Sequence, residues 1–311
     1  MPDFIHRPVL EAEVLAALRP RNGGRYVDGT VGGGGHARAL LEASSPNGWV
    51  FGCDRDGAAV EAATRRLLEA GYGGRFELRQ GNFSEMAEWI PPISCDGVLL
   101  DLGVSSPQLD EADRGFSFIR DGPLDMRMDR RQVLTASAVV NGWSETELVR
   151  LFQEYGEEPQ ARRMARAIVE ERARRPLDRT GQLAALLERV APRYGQKKHP
   201  ATRVFQALRM VVNDESRSLQ SGLAAACSLL KPQGRLAVIT FHSIEDRWVK
   251  EFGRRETRDY TVPGEVDIPE LRQPRVPTLR WVQRRAIRAT AAEEADNPRS
   301  RSAQLRVLEK I

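Results

Sequence analysis

YVDGTVGGGGHARALLEA, residues 26–43, starts like a strand and ends like a helix. Tyr26 and Val27 are strand formers. Ala37, Leu40, Leu41 and the alanines around them favour a helix. Between them lie Gly29 and the run Gly32–Gly35. Glycine gives up more backbone freedom on folding than any other residue, so a run of it needs a reason. One reason is a flexible turn. The other is a loop whose backbone must come close to a ligand at a helix N-terminus.

Outward from this stretch, short apolar runs near Arg25–Asp28, Trp49–Asp54, Arg75–Gln80, Asp96–Leu102 and Arg235–Phe241 read as strands. The first four are separated by helix-like segments such as Gly57–Ala70, in which Ala58, Ala59, Ala62, Ala63 and Leu67 form an apolar stripe. Alternation of this kind implies a doubly wound α/β domain with a parallel sheet. VLLDL and LAVITF are almost wholly apolar, as central strands covered on both faces should be. From about Thr135 to Val212 the chain reads as helices only, with Ser144 and Glu147 in capping-box spacing. An all-helical domain, 111–213, is thus expected inside a discontinuous α/β domain, 1–110 with 214–311. The proline-dotted stretch after Phe252 gives no clear pattern.

Composition bounds the function less than local charge does. Net charge is only +4, with 41% hydrophobic and 29% charged residues. No acid lies between Glu188 and Asp214, a stretch that holds Arg189, Arg193, Lys197, Lys198, Arg203 and Arg209. None lies between Glu270 and Glu293, around Arg272, Arg275, Arg280, Arg284, Arg285 and Arg288. Each block is a solvated face or a surface for an anionic polymer. Cys53, Cys95 and Cys227 are scattered, which suggests neither a disulfide framework nor a zinc site. No apolar run is long enough to span a bilayer, and no signal-peptide pattern opens the chain, so a cytoplasmic protein is expected.

No GK[ST] follows the glycines, which excludes a P-loop. Dinucleotide-binding and S-adenosylmethionine-binding domains both remain. Both place an acid at the end of the second strand to grip ribose hydroxyls, and Asp54 stands there. The fourth strand favours the second. In DGVLLDLGVSSPQ, Asp101 closes the strand and Ser105, Ser106 and Pro107 follow. Ligands bind outside the carboxyl ends of such strands. A hydride-transfer enzyme has no evident use for this strand end. A methyltransferase acting on an exocyclic amine does, because acceptors there can bind the amine's N–H bonds and aim its lone pair.

The blocks HRPVL, DGTVGGGGH, GNF, LLDLGVSSPQLDEADRGFSF, RDGPLDMRMD, HPATRVFQALR, ITFHSIEDR and NPRSRSAQLRV together resemble the bacterial MraW/RsmH family, from His6 to Val307. The stretch Arg254–Val282 matches poorly. The resemblance implies a class I methyltransferase fold. It also implies S-adenosylmethionine-dependent methylation of N4 of a decoding-centre cytidine in 16S ribosomal RNA, conventionally position 1402. The substrate would be the small ribosomal subunit or its RNA, and no metal would be needed. By the same resemblance, Gly34, Gly35 and His36 would line the cofactor's amino-acid end. Asp54 would hold its ribose, Phe83 would pack on its adenine, and Asp101 and Gln108 would flank cofactor and base. Asp101, Ser105 and Ser106 are candidates to position the amine, and Lys197, Lys198, Arg203 and Arg209 to meet phosphates. Asp28 is expected to serve the loop's own N–H groups rather than the ligand, and His199 to face the surface or RNA. The polar stretch Asp113–Asp129, with Phe116, Phe118, Met126 and Met128 interleaved, should form an ordered lid. His242, Glu245 and Asp246 have no assigned role. Two other readings are an NAD-dependent oxidoreductase and a non-catalytic RNA-binding protein that kept the fold.

Overall fold

The computed structural model describes residues 8–192, 199–264 and 266–311. The chain forms two compact units, 1–103 with 218–311 and 104–217. The first unit begins with α1 (Glu11–Leu18), β1 (Arg25–Asp28), α2 (Gly35–Ala43), β2 (Trp49–Asp54), α3 (Gly57–Glu69), β3 (Phe76–Gln80) and β4 (Cys95–Asp101). The second holds the short α4 (Ser106–Asp110), then α5 (Ala136–Gly142), α6 (Glu145–Glu154), α7 (Ala161–Arg172), α8 (Thr180–Val190) and α9 (Ala201–Val212). Helix α10 (Glu215–Leu229) returns the chain to the first unit. There β5 (Leu230–Thr240), α11 (Ser243–Glu256), β6 (Tyr260–Thr261), β7 (Gln273–Pro274), β8 (Leu279–Trp281), β9 (Ile287–Arg288), α12 (Ala291–Asp296) and β10 (Gln304–Lys310) follow.

The main sheet runs β3-β2-β1-β4-β5-β10-β8, and β9 also pairs with β10. The strands from β3 to β5 are parallel, and β10 runs antiparallel to β5. Strand side chains alternate between faces, so the apolar runs of the sequence feed two cores. Val27, Val98, Leu100, Leu236 and Val238 face one, with Leu219, Leu223 and Leu229 of α10 and Val249 and Phe252 of α11. Tyr26, Leu99, Ala237 and Ile239 face the other, with Val14 and Leu18 of α1, Leu40 and Leu41 of α2 and Leu67 of α3. Burial on both faces is why VLLDL and LAVITF contain no alternation.

The helical unit has a core of its own, centred on Val139, Leu148, Phe152, Met164, Ile168, Leu183, Leu187, Val204 and Leu208. The polar stretch before it packs on that core: Phe116 and Met126 are buried, and Phe118 and Met128 partly so. Arg114, itself buried, donates to the carbonyls of Arg127 and Met128, and Asn213 bonds both the Met126 carbonyl and the Met128 N–H. Val104 and Leu109 already pack on this core. The helical unit therefore takes in residues from 104 on, where the sequence placed its start at 111. At the other end the Arg209–Glu215 ion pair holds the first turn of α10 to the helical unit, so the division falls after Arg217 rather than 213.

Two strands differ from the sequence reading. β5 starts at Leu230, with Leu230 opposite Cys95 and Arg235 opposite Gly97. The Pro232–Gly234 turn is an irregularity inside the strand, with Gln233 at φ 67°. β10 was unread. Its Glu309 lies opposite Arg235 of β5, and the two form a buried ion pair at 2.9 Å.

Candidate functional site

The glycine loop is stitched to two neighbouring strand ends, those of β2 and β4. The Gly29 N–H donates to Leu99 O on β4 (2.9 Å) and the Val31 N–H to Cys53 O on β2 (3.1 Å). The Gly32 N–H donates to Asp54 Oδ2 (2.8 Å), and the Asp101 N–H to Thr30 Oγ1 (2.7 Å). This is an ordered cradle, not a flexible turn. Gly34 has φ 82°, the left-handed region that glycine occupies without strain. A Cβ there would also lie 3.1 Å from Ala63 Cβ on α3, so the residue is fixed by the protein's own packing. At Gly35 a Cβ would come within 2.5 Å of Pro8 Cγ. No side chain caps α2, and the first N–H groups of a helix have no intrahelical acceptor. That end suits an anion.

Beside the cradle three buried polar groups converge. His36, the second residue of α2, is buried and does not cap its helix. Its Nε2 lies 3.6 Å from Asp101 Oδ2. Burial pushes the imidazole pKa down, but the Asp101 and Asp28 carboxylates outweigh burial, so the net effect is a raised pKa. Asp28, at the end of β1, accepts from the Thr30 N–H through Oδ1 (3.1 Å), the loop-holding role expected of it. Burial lifts its pKa to about 6, against the pull of His36 and the Thr30 N–H. Asp28 Oδ2, Asp101 Oδ1 and His36 Nε2 are buried and without a hydrogen-bond partner among the described residues. Buried polar atoms are rarely left so, and an orphaned set at strand carboxyl ends points to a ligand.

Asp54, at the end of β2, is more committed than the sequence suggested. Its Oδ2 takes the Gly32 N–H and its Oδ1 the Asp56 N–H (2.9 Å). Burial raises its pKa and these two N–H groups oppose the rise. A ribose contact would have to use the remaining lone pairs. Phe83 opens a short 3-10 turn capped by Asn82, whose Oδ1 accepts from the Ser84 N–H (3.2 Å). Its ring lies over Gly222 of α10, where a Cβ would be 2.2 Å from Phe83 Cδ2. Asn82 Nδ2 and Arg55 Nη2 both donate to Ser218 Oγ (2.9 and 3.0 Å). Thr30, Ser218 and Gly222 were not read from the sequence. Nothing local marks the last two, which arrive from a distant helix.

Gly34, Gly35, His36, Asp54, Phe83 and Asp101 thus share the sheet unit, while Ser105, Ser106, Gln108, Arg203 and Arg209 belong to the helical unit. Gln108 is buried, and its Oε1 accepts from the Ser105 N–H (3.0 Å), which fixes the turn into α4. Arg203 is exposed on α9. Arg209 is not available to a phosphate. Both ends of its fork bond Glu215 at 2.8 Å, and each side chain is 13% exposed. Lys197 and Lys198 lie outside the described residues. His199 is half-buried: its ring lies tilted against Phe118 at 4.6 Å, its Nδ1 accepts from the Ala201 N–H (3.1 Å) at the start of α9, and its Nε2 faces the exposed Glu188 (3.6 Å). His242 precedes α11 and pairs with the buried Glu245 (3.0 Å), which also accepts from the Phe241 N–H (2.8 Å). Asp246 is held by Arg306 and Lys250, which pull its pKa down against burial. Among the described residues no helix is long and apolar enough to cross a membrane, and all three cysteines are free.

The chain matches the model of the MraW methylase family over residues 3–311. It is 52% identical to the ribosomal RNA small subunit methyltransferase H of Geobacter sulfurreducens, over 99% of either chain. It is 50% identical to the protein of the same name in Thermomicrobium roseum, over 98% of this chain and 94% of that one. A third, from Citrifermentans bemidjiense, is 50% identical over the full length of both. The choice that the glycine loop left open between a dinucleotide and a methyl donor is thereby closed: this chain belongs to the MraW methylase family and is a methyltransferase.

Proposed function

We propose that the protein methylates N4 of a decoding-centre cytidine in 16S ribosomal RNA, taking the methyl from S-adenosylmethionine. The observation that carries the reading is the orphaned set Asp28 Oδ2, Asp101 Oδ1 and His36 Nε2 beside an uncapped helix N-terminus. An amino acid fits it. The N–H groups of Gly35 and His36, in the first turn of α2, would receive its carboxylate, while the Gly34 N–H already donates to Val31 O (2.8 Å) and shapes the loop. The unpartnered carboxylate oxygens of Asp28 and Asp101 would receive its ammonium. Asp54 would use its remaining lone pairs on the ribose, and Phe83 would lie against the adenine. When bound, S-adenosylmethionine supplies a sulfonium methyl for in-line displacement by the amine.

The chain's own residues contribute alignment and electrostatics. Asp101 is an acceptor for the N4 hydrogens, and it acts on a base splayed out of its stack. Exposed arginines of the helical unit, Arg203 among them, and Lys197 and Lys198 meet the RNA phosphates. The reaction belongs in the cytoplasm, where ribosomal RNA is modified. Single-turnover methyl transfer to small-subunit particles, with mass spectrometry of the nucleosides, tests this. N4-methylcytidine is expected. Methyl on C5, or on a base other than cytosine, refutes it.

A further inference from the structure

The acid-free block between Glu270 and Glu293 divides in two once its partners are known. Arg272 bonds Asp267 (2.7 Å), Arg275 reaches Glu256 (3.3 Å), and Arg280 donates to Glu309 through Nε (2.9 Å). These three are neutralised by acids from outside the block. Arg284, Arg285 and Arg288 are exposed, and none makes a side-chain hydrogen bond or ion pair with a described residue. The backbone carrying them is nevertheless fixed. The Val282 N–H donates to Val307 O (3.1 Å), Arg284 O accepts from Arg306 Nη1 (3.2 Å), and Ile287–Arg288 pairs with β10.

Beside this strand-to-strand segment lies a cavity of about 470 Å³ whose lining includes Trp281, Val282, Arg284 and Ile311. Ligand sites commonly run from about 300 to 1,000 Å³. Trp281 is held on one side by α11, where a Cβ on Gly253 would lie 2.1 Å from its Cζ2. Val282 and Ile311 leave apolar surface exposed at the same place, 41% and 56%. A merely solvated arginine face has no need of a fixed indole beside an open groove of mixed polar and apolar lining. A single-stranded nucleic acid needs both parts, a stacking surface for a base and cations for the backbone.

We propose that Leu279–Arg288 is a docking site for an unpaired stretch of the substrate RNA. One base enters the cavity beside Trp281, and phosphates lie on Arg284, Arg285 and Arg288. The inference rests on the reading that the substrate is ribosomal RNA. The test compares the full-length wild type with a triple variant, R284A/R285A/R288A, binding a decoding-region RNA fragment over a salt series. With about 0.7 ion released per single-strand phosphate contact, the slope of log affinity against log salt should fall by about 2. Affinity for S-adenosylmethionine should not change. An unchanged slope overturns the phosphate contacts. Photo-crosslinking of 4-thiouridine-substituted RNA should map to the peptide holding Trp281, and crosslinks confined to 104–217 overturn the base site. Methyl transfer by the wild type is followed in parallel. If the wild type leaves the RNA unmethylated, the functional reading fails, while the slope and crosslinks still decide the docking site.

Discussion

Asp28→Asn should make the ligand-free protein more stable and a poorer enzyme, and the gain should depend on pH. Below about pH 3.8 Asp28 is protonated in the folded and unfolded chains alike, and its burial as an ion costs nothing. As pH rises from there to about 6, the unfolded chain gives up the proton while the folded one keeps it, so stability falls. Above about 6 the side chain is ionised in both states and the cost is constant. A rise of roughly two pKa units corresponds to about 3 kcal/mol at about 1.36 kcal/mol per unit. The attraction to His36 is already included, since it lowers the pKa that burial raises. Asparagine is neutral throughout and can still accept the Thr30 N–H through Oδ1. Its advantage should be absent near about pH 4 and reach up to about 3 kcal/mol at about pH 7. Urea midpoints across that range measure it. The same change replaces an orphaned acceptor oxygen with a donor. Cofactor affinity by calorimetry should therefore fall about tenfold or more, since a charged hydrogen bond contributes about 1.5–3 kcal/mol. A variant no more stable than wild type at neutral pH, or one whose gain survives acidification, refutes the argument.

Asp54→Asn should weaken cofactor binding about tenfold or more, because an amide cannot accept both the Gly32 and Asp56 N–H groups and still serve a ribose; unchanged affinity by calorimetry removes Asp54 from the site. Gly34→Val combines φ 82° with a Cβ 3.1 Å from Ala63, so the loop should lose about 1–3 kcal/mol and cofactor binding should vanish. Normal binding by that variant would reduce the glycines to a spacer. Asp101→Ala should cut kcat in single-turnover assays far more than it weakens RNA binding, and equal losses in both would count against a role in the transition state. Arg203→Ala should lower the salt slope of RNA binding by about 0.7–0.9, whereas Arg209→Ala should cost about 2 kcal/mol of stability in urea by breaking the Glu215 pair. The reverse pattern would return Arg209 to the RNA surface.

The first strands were legible because the sequence writes them without interruption: Arg25–Asp28 and Trp49–Asp54 stand as they were read. β10 was hidden by Arg306, Glu309 and Lys310, charges unusual in a central strand. Arg306 reaches Asp246 and Glu309 reaches Arg235, partners far away in the sequence. Arg209 was misread for a related reason. Its acid-free block ends at Asp214, and the neutralising Glu215 is the next residue. In the site, the identity of Asp28, His36 and Asp101 was visible, but they sit on β1, α2 and β4. Only the sheet order, with β1 beside β4, makes them one cluster.

That order also constrains how the molecule can be made. β4 and β5 are neighbours, with Asp101 opposite Ile239, although the whole helical unit lies between them in sequence. Closing so long a segment is an entropic burden in an open chain, and pairings of this kind slow folding. The burden shrinks when the intervening residues have already collapsed around their own core, and Val139, Phe152, Ile168 and Leu208 provide one. The helices should then form early and bring the two strands within reach of each other. The β4–β5 ladder would form late, and the carboxylate at the end of β4 would be among the last parts of the molecule to be put in place.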